Sequence, residues 1–320
     1  MNKGKALGRN VLRVLDVVLV PFTYLSLVWM RAVRFAGFRR MRFSRRAVLD
    51  VGVFPIRDHF YDPHFHPRHL PADYDQRDRD LPGIDLDVKG QLAFLAQFDF
   101  ADELREIAGT GTPRLNADNF GAGDSEFLYS VVRRFKPKRV FEIGSGNSSL
   151  IALAALTRNA SEDPARGGAL TCIDPYAPAK LDATGARVVR RRVEELGRAF
   201  FAELDRDDLL FIDSSHVVRP QGDVVFEFLE LLPTLRPGVL VHVHDIYTPR
   251  DYPAALLVER SSFWNEQYLL EAFLSHNHDF RIVGALNHLW HHHFEKLADK
   301  CPLLRAMPAA RPGSFWFERV

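Results

Sequence analysis

Cysteine is scarce in this chain: Cys172 and Cys301 are the only two among 320 residues. A pair without metal-ligand spacing cannot staple a small secreted scaffold, so a reducing cytosolic compartment is expected. Repeats and low-complexity tracts are missing as well. With 47% hydrophobic content the chain has the makeup of a globular protein, long enough for one large α/β domain and an appendage. Net charge is almost nil at +1, but it is unevenly spread. Residues 1 to 50 hold eleven Lys or Arg against Asp16 and Asp50, a surplus of +9 that leaves −8 for the remainder. An acidic remainder speaks against a nucleic-acid partner, because phosphate binding needs basic residues on the working domain.

A long uncharged run is also wanting near the N-terminus. The stretch VVLVPFTYLSLVWM, Val17 to Met30, has fourteen residues, short of the roughly 20 that a helix needs to span a bilayer. No small-residue cleavage site follows it, which argues against a signal peptide. Tyr24 and Trp29 with basic flanks suit insertion into one leaflet at the inner face of a membrane, with residues 12–46 making peripheral contact through anionic headgroups. A hydrophobic helix packed on the rest of the protein, or in an oligomer interface, is the alternative. Residues 1–46 thus read as a basic, apolar membrane-associating segment. Residues 47–120 read as an irregular lead-in in which Arg57, His59 and Tyr61 could form a lid, and residues 121–320 as the catalytic domain.

Strand and helix signals alternate from residue 139 onward. Strands are expected at 139–143, 169–173, 187–190, 208–212, 238–243, 280–284 and 314–318, and helices at 92–107, 124–135, 147–158, 222–232 and 262–275. Such alternation predicts a doubly wound, mostly parallel sheet of about seven strands, the last antiparallel, with ligands at the carboxyl ends of the strands. Asp124 is expected to cap the helix that it opens.

The segment KRVFEIGSGNSSL, from Lys138, places a buried strand before Gly144 and Gly146, a turn too tight for a Cβ, and a helix beginning near Asn147. A dinucleotide would need a third glycine near position 149, where Ser149 stands. An acid at the strand end, Glu142, would repel a pyrophosphate yet attract an amino group. The pattern favours S-adenosylmethionine, with Glu142 near its methionine end. Asp174, ending the next strand in LTCIDP, is placed to accept the two hydroxyls of an adenosine ribose.

Further strand ends carry Asp213 with His216, in FIDSSH, and His242, His244 and Asp245, in VHVHDIY. Histidine suits removal of a hydroxyl proton because its ordinary pKa lies near neutrality. Asp213 and Asp245 on adjacent strands could hold Mg²⁺, or without metal could belong to a network that fixes two loops. In SSFWNEQYLLEAFL, Trp264, Tyr268 and Phe273 read as core, while Asn265, Glu266 and Gln267 could line a pocket. His288, His291, His292 and His293 read as solvated surface, since successive histidines on a helix point in different directions and no Cys or carboxylate completes a tetrahedral set.

Taken together, EIGSGNSS, IDP, DLLFIDSSH, LRPGVLVHVHDIY and SFWNEQYLLEAFL resemble the class I S-adenosylmethionine-dependent methyltransferases of the bacterial type grouped with saccharide and macrolide-sugar O-methyltransferases. The resemblance covers residues 114–320, and GVFPIRDHFYDP is similar to an upstream element of the same group. It implies cofactor binding by Glu142, Gly144, Gly146 and Asp174, with Asp213 and His216 as metal-bound aspartate and general base. Where that group follows the fifth strand with two adjacent carboxylates, this chain has His244 and Asp245, a departure that weakens the Mg²⁺ expectation. The implied activity is O-methylation of a sugar or glycolipid hydroxyl. A hydroxylase-like relative and a cofactor-binding scaffold without catalysis are the rivals.

Overall fold

A computed structural model describes residues 3–59, 61–117 and 119–320, with side chains from residue 11. Met1 and Asn2 of the expected N-terminal segment lie outside the described residues. The chain divides into two compact units, Met1–Pro71 and Ala72–Val320.

In the first unit, α1 (Lys3–Ala36) runs for 34 residues and is followed by α2 (Arg42–Val51), which ends at Gly52 in the left-handed region. Asp62 gathers the later part of this unit, accepting hydrogen bonds from Arg34 Nη2 at 3.2 Å and Arg57 Nε at 2.9 Å. Helix α1 continues well past the charge-free run, so the expectation that the segment is too short to span needs correction. Its portion Val11–Ala36 has 26 residues and is long and apolar enough to cross a membrane by length and composition, rising about 39 Å against a hydrocarbon core of about 30 Å. Arg13, Arg31 and Arg34 lie toward its ends, where long stems let the guanidinium reach water.

The second unit is built on one seven-stranded sheet in the order β3-β2-β1-β4-β5-β7-β6. Before it come α3 (Val88–Leu95), α4 (Ala101–Thr110) and α5 (Asp124–Phe135). Then follow β1 (Arg139–Ile143), α6 (Asn147–Glu162), β2 (Ala169–Ile173), β3 (Arg187–Val189), β4 (Leu209–Ile212), α7 (Asp223–Val225) and β5 (Leu240–Val243). The chain finishes with α8 (Glu266–Leu274), β6 (Phe280–Ala285), α9 (Leu286–His292), α10 (Phe294–Lys300), α11 (Pro302–Ala306) and β7 (Phe315–Arg319). Strands β1 to β5 are parallel and β7 is antiparallel to both β5 and β6, as the sequence leads one to expect. Strands covered on both faces must be apolar throughout, and LLFI of β4 is buried at all four positions. One core cluster lies against α5, α6 and α9, the other against α7 and α8.

Three local expectations are revised. The single helix at 92–107 is two, α3 and α4, because the chain turns between them to bury Phe98 edge-on against Phe94 and Phe127. The helix at 222–232 is α7 followed by a π-helical stretch, Phe226–Leu231, whose wider turn sends Phe226, Glu227, Phe228 and Leu231 inward. Asp124 is the first residue of α5 rather than its cap. Glu126 reaches back to the Gly123 N–H at 3.0 Å, and Asp124 instead accepts the backbone N–H groups of Gly313 and Ser314.

Candidate active site

Strand order reverses between β1 and β4: β1 runs on to β2 and β3 on one side, β4 to β5 on the other. Ligands in doubly wound sheets settle in the crevice this creates beyond the carboxyl ends. Gly144, just past β1, has φ +83°, and a Cβ there would stand 2.1 Å from the Asp213 carbonyl oxygen. The two strand ends therefore approach each other only because position 144 is glycine. A Cβ at Gly146 would meet nothing within 4 Å, which leaves the backbone of this turn open to a ligand at the start of α6. Ser149, standing where a dinucleotide loop would carry glycine, accepts the Gly146 N–H at 3.0 Å and closes the turn onto the helix.

Asp174 sits half-buried beyond β2, with Oδ2 accepting from Ser145 Oγ at 2.6 Å and Oδ1 from the Tyr176 N–H at 2.7 Å. Those bonds aim a carboxylate across the glycine turn. Glu142, expected near the methionine end of the donor, is buried. It is only 2% exposed, accepting from Ser148 Oγ at 2.6 Å and from Cys172 Sγ at 3.3 Å. Burial pushes its carboxyl up to about 7, against the lowering effect of those hydrogen bonds. Glu142 thus braces the turn from beneath.

Beyond β4 and β5 a compact charged cluster forms. His216 is 7% exposed and adopts φ +59°, and Asp245 adopts φ +56°, backbone strain of the kind that gathers at functional sites. The His216 carbonyl accepts the N–H groups of Asn265 and Glu266 at the start of α8, while its Nδ1 lies 2.7 Å from Glu266 Oε2. Both backbone and ring are thereby locked to α8, with the Trp264 ring tilted by 45° against the imidazole at 4.4 Å between centroids. His216 Nε2 faces Asp213 Oδ1 at 3.4 Å and Asp245 Oδ2 at 3.7 Å. His244 Nδ1 faces the same two oxygens at 3.5 and 3.7 Å, and its Nε2 lies 3.7 Å from Asp124 Oδ2.

Burial alone would lower the pKa of both imidazoles, but the surrounding carboxylates overcome it and hold His216 and His244 well above the ordinary histidine value. Burial would likewise raise Asp213, yet the charge of His244 and the hydrogen bonds from both rings hold it well below the carboxylate range. His242, on the same strand face as expected, belongs to the core. It stacks on Phe211 at 4.0 Å, bonds Ser314 Oγ at 2.9 Å, and burial lowers its pKa.

Asp213, His216 and Asp245 each direct one potential ligand atom to a common point, within 4.8 Å of one another. The set suits Mg²⁺ poorly, because that ion demands oxygen ligands in an octahedron, whereas two of the four groups converging here are imidazoles already bonded to the carboxylates. The residues that sequence reasoning left out are Glu266, which it offered only as a pocket lining, and Asp124, which it took for a cap. Glu266 is fully buried on His216. Its position in the first turn of an aromatic-rich helix is a signal, but the partner 50 residues away is not written in the sequence. Gln267 ties the loop after β5, accepting the Tyr247 N–H at 2.7 Å and donating to the Arg250 carbonyl. Arg57, His59 and Tyr61 belong to the first unit, where the His59 and Tyr61 rings stack at 5.8 Å.

Residues 141–246 match a family model described as a methyltransferase domain. The match begins inside β1 and ends just past Asp245, enclosing the glycine turn, Asp174, Asp213, His216 and His244. Residues 141–246 are thus a methyltransferase domain. No curated protein is similar enough to match. Among solved structures the domain is similar to the O-methyltransferase TomG from Streptomyces achromogenes, involved in tomaymycin synthesis and solved with S-adenosylmethionine. That similarity has 17% identity, 74% coverage of this chain, 92% of the other and a TM-score of 0.39. It is also similar to an O-methyltransferase from Bacillus cereus in complex with S-adenosylhomocysteine, at 13% identity, 71% and 91% coverage and a TM-score of 0.39. At such scores the likeness is too loose to assign a residue role to this methyltransferase domain.

Proposed function

We propose that the chain methylates a hydroxyl group of a sugar or glycolipid, with His216 as general base. The observation that carries the reading is the His216–Glu266 dyad: a buried imidazole whose Nδ1 is held at 2.7 Å by a fully buried carboxylate and whose Nε2 turns toward the strand ends. A carboxylate on Nδ1 orients the ring so that Nε2 is the nitrogen offered to an acceptor hydroxyl, which must come within hydrogen-bond reach of it. The donor fits the residues around the glycine turn. Gly146 leaves room against its backbone, and Asp174, oriented by Ser145, offers a carboxylate to the ribose. Glu142 acts from below, through Ser148 and the turn.

When bound, S-adenosylmethionine supplies a sulfonium-activated methyl group, which the acceptor oxygen takes as the carbon–sulfur bond breaks. The chain's part is to hold the acceptor hydroxyl against His216 Nε2 and take its proton, while Asp213 and Asp245 stabilise the positive charge that appears on the ring. Glu266 keeps Nδ1–H pointed away, so that Nε2 is the nitrogen that accepts. No step requires Mg²⁺. Helix α1, exposed and apolar between basic flanks, supports a membrane-borne acceptor at the cytoplasmic face.

The direct test offers the purified full chain S-adenosylmethionine with sugar and glycolipid acceptors and follows S-adenosylhomocysteine release. The products are checked by mass spectrometry for one added methylene. Donor binding by calorimetry together with acceptor-dependent turnover is the expected result. Failure to bind either donor or demethylated product in folded protein refutes the reading, and turnover undiminished in His216→Ala refutes the base.

A further inference from the structure

Methyl transfer leaves unused the histidine-rich helix α9. His288 and His292 lie four residues apart, so both rings leave the same face of the helix, with centroids 4.6 Å apart. Asp78, 214 residues from His292 in sequence, comes over them, its Oδ2 2.7 Å from His292 Nε2 and 3.8 Å from His288 Nδ1. Its other oxygen accepts Arg250 Nε at 2.7 Å, which fixes the carboxylate plane and leaves Oδ2 for the imidazoles. Among the described residues His288 Nδ1 has no hydrogen-bond partner, and it is sealed from water on a side chain only 12% exposed. A buried polar nitrogen left unbonded is costly. A metal ion would take its lone pair. The expectation that no carboxylate completes the histidine set is therefore corrected: the carboxylate comes from the distant Asp78.

We infer that Asp78, His288 and His292 bind a borderline divalent transition metal, Zn²⁺ being the representative ion, at a site separate from the glycine turn and the His216 cluster. A tetrahedral ion with bonds of about 2.0–2.2 Å sets its ligands about 3.3–3.6 Å apart, and the observed 2.7 and 3.8 Å straddle that range. Two imidazoles and one carboxylate favour zinc-like ions over Mg²⁺ or Ca²⁺, which take oxygen. The side chains of His292 and Asp78 are 41% and 31% exposed, so water reaches the fourth position. Arg250 is the outer partner that orients the carboxylate ligand, its Nη1 also bonding His291 Nε2 at 3.0 Å.

The ion would act as a staple. Arg79, the next residue, binds Glu271 and the carbonyls of Pro249 and Arg250, so fixing Asp78 to α9 also fixes the loop that leads away from Asp245.

The test is calorimetric titration of the chelator-stripped, full-length protein with Zn²⁺, together with the visible spectrum of its Co²⁺ form as a report of tetrahedral imidazole coordination. One ion is expected at this site. Arg250→Gln should weaken it by about 10- to 100-fold, the usual cost of losing an outer partner, and Asp78→Asn, His288→Ala and His292→Gln should each weaken it further. His292→Gln changes an exposed residue, so its fold, checked by circular dichroism, is retained. Absence of stoichiometric Zn²⁺ binding overturns the inference, as does binding that His292→Gln and His288→Ala leave unchanged. Zn²⁺ binding abolished only by Asp213→Asn or Asp245→Asn places the ion in the methyl-transfer site and overturns it equally.

Discussion

Replacing Glu266 by Gln keeps the shape of the side chain and removes the charge that faces His216 Nδ1 at 2.7 Å. A hydrogen bond to a charged group contributes about 1.5–3 kcal/mol. If that interaction develops as the ring takes the acceptor proton, its loss slows turnover by up to about 10- to 100-fold. The same carboxylate also raises the His216 pKa in the resting protein, which sets the sign of the pH dependence. With His216 as the proposed base, activity needs the neutral ring, so in the native protein it should fall as pH drops through a pKa above the ordinary histidine value. Glu266→Gln brings that acid limb to lower pH. The variant is therefore slowest relative to the native protein at alkaline pH, and the gap narrows as pH falls, because more of its His216 is neutral there. Initial rates of S-adenosylhomocysteine release from pH 5 to 9 read this directly. Donor affinity, which the proposed function places at the glycine turn, should stay almost unchanged by calorimetry. An acid limb in the same place for both proteins, or a rate ratio independent of pH, refutes the dyad.

Four other outcomes are expected. Gly146→Ala, whose Cβ would meet nothing within 4 Å, should leave the thermal midpoint unchanged yet weaken donor binding, whereas Gly144→Ala, aimed at the Asp213 carbonyl, should lower both. Asp174→Ala should cost about 10- to 100-fold in donor affinity, the loss of charge-assisted hydrogen bonds to hydroxyls, with little change in folding seen by denaturant titration. The Glu142 carboxyl rises from 4.5 to about 7 on folding, so its contribution favours the fold below pH 4.5 and is lost as pH climbs through 7. Glu142→Gln should then stabilise the protein at pH 8 by on the order of 3 kcal/mol and do nothing at pH 4, measured by urea unfolding. The full chain should float with vesicles containing anionic lipid, and replacing Leu25 and Val28 of α1, both largely exposed, with Glu should release it.

The sequence by itself determined the sheet: five short apolar runs, each ending in turn chemistry, became β1 to β5 within a residue or two of their expected bounds. It also determined the glycine turn and the acids that follow the strands, since strand ends in a parallel sheet share one edge whatever the loops do. Local pattern carries that much because a two-residue period and a tight turn are properties of neighbouring residues. The tertiary structure alone decided that Glu266 meets His216, that Asp124 approaches His244, and that Asp78 closes over α9, pairings 50 to 214 residues apart. It also buried Glu142, broke the helix before Ala101 and widened the one after Val225, to satisfy packing that no periodicity encodes. Contacts of this kind depend on which elements the sheet brings together in space, and the irregular segments that deliver Asp78 and His216 carry no period from which their partners can be read.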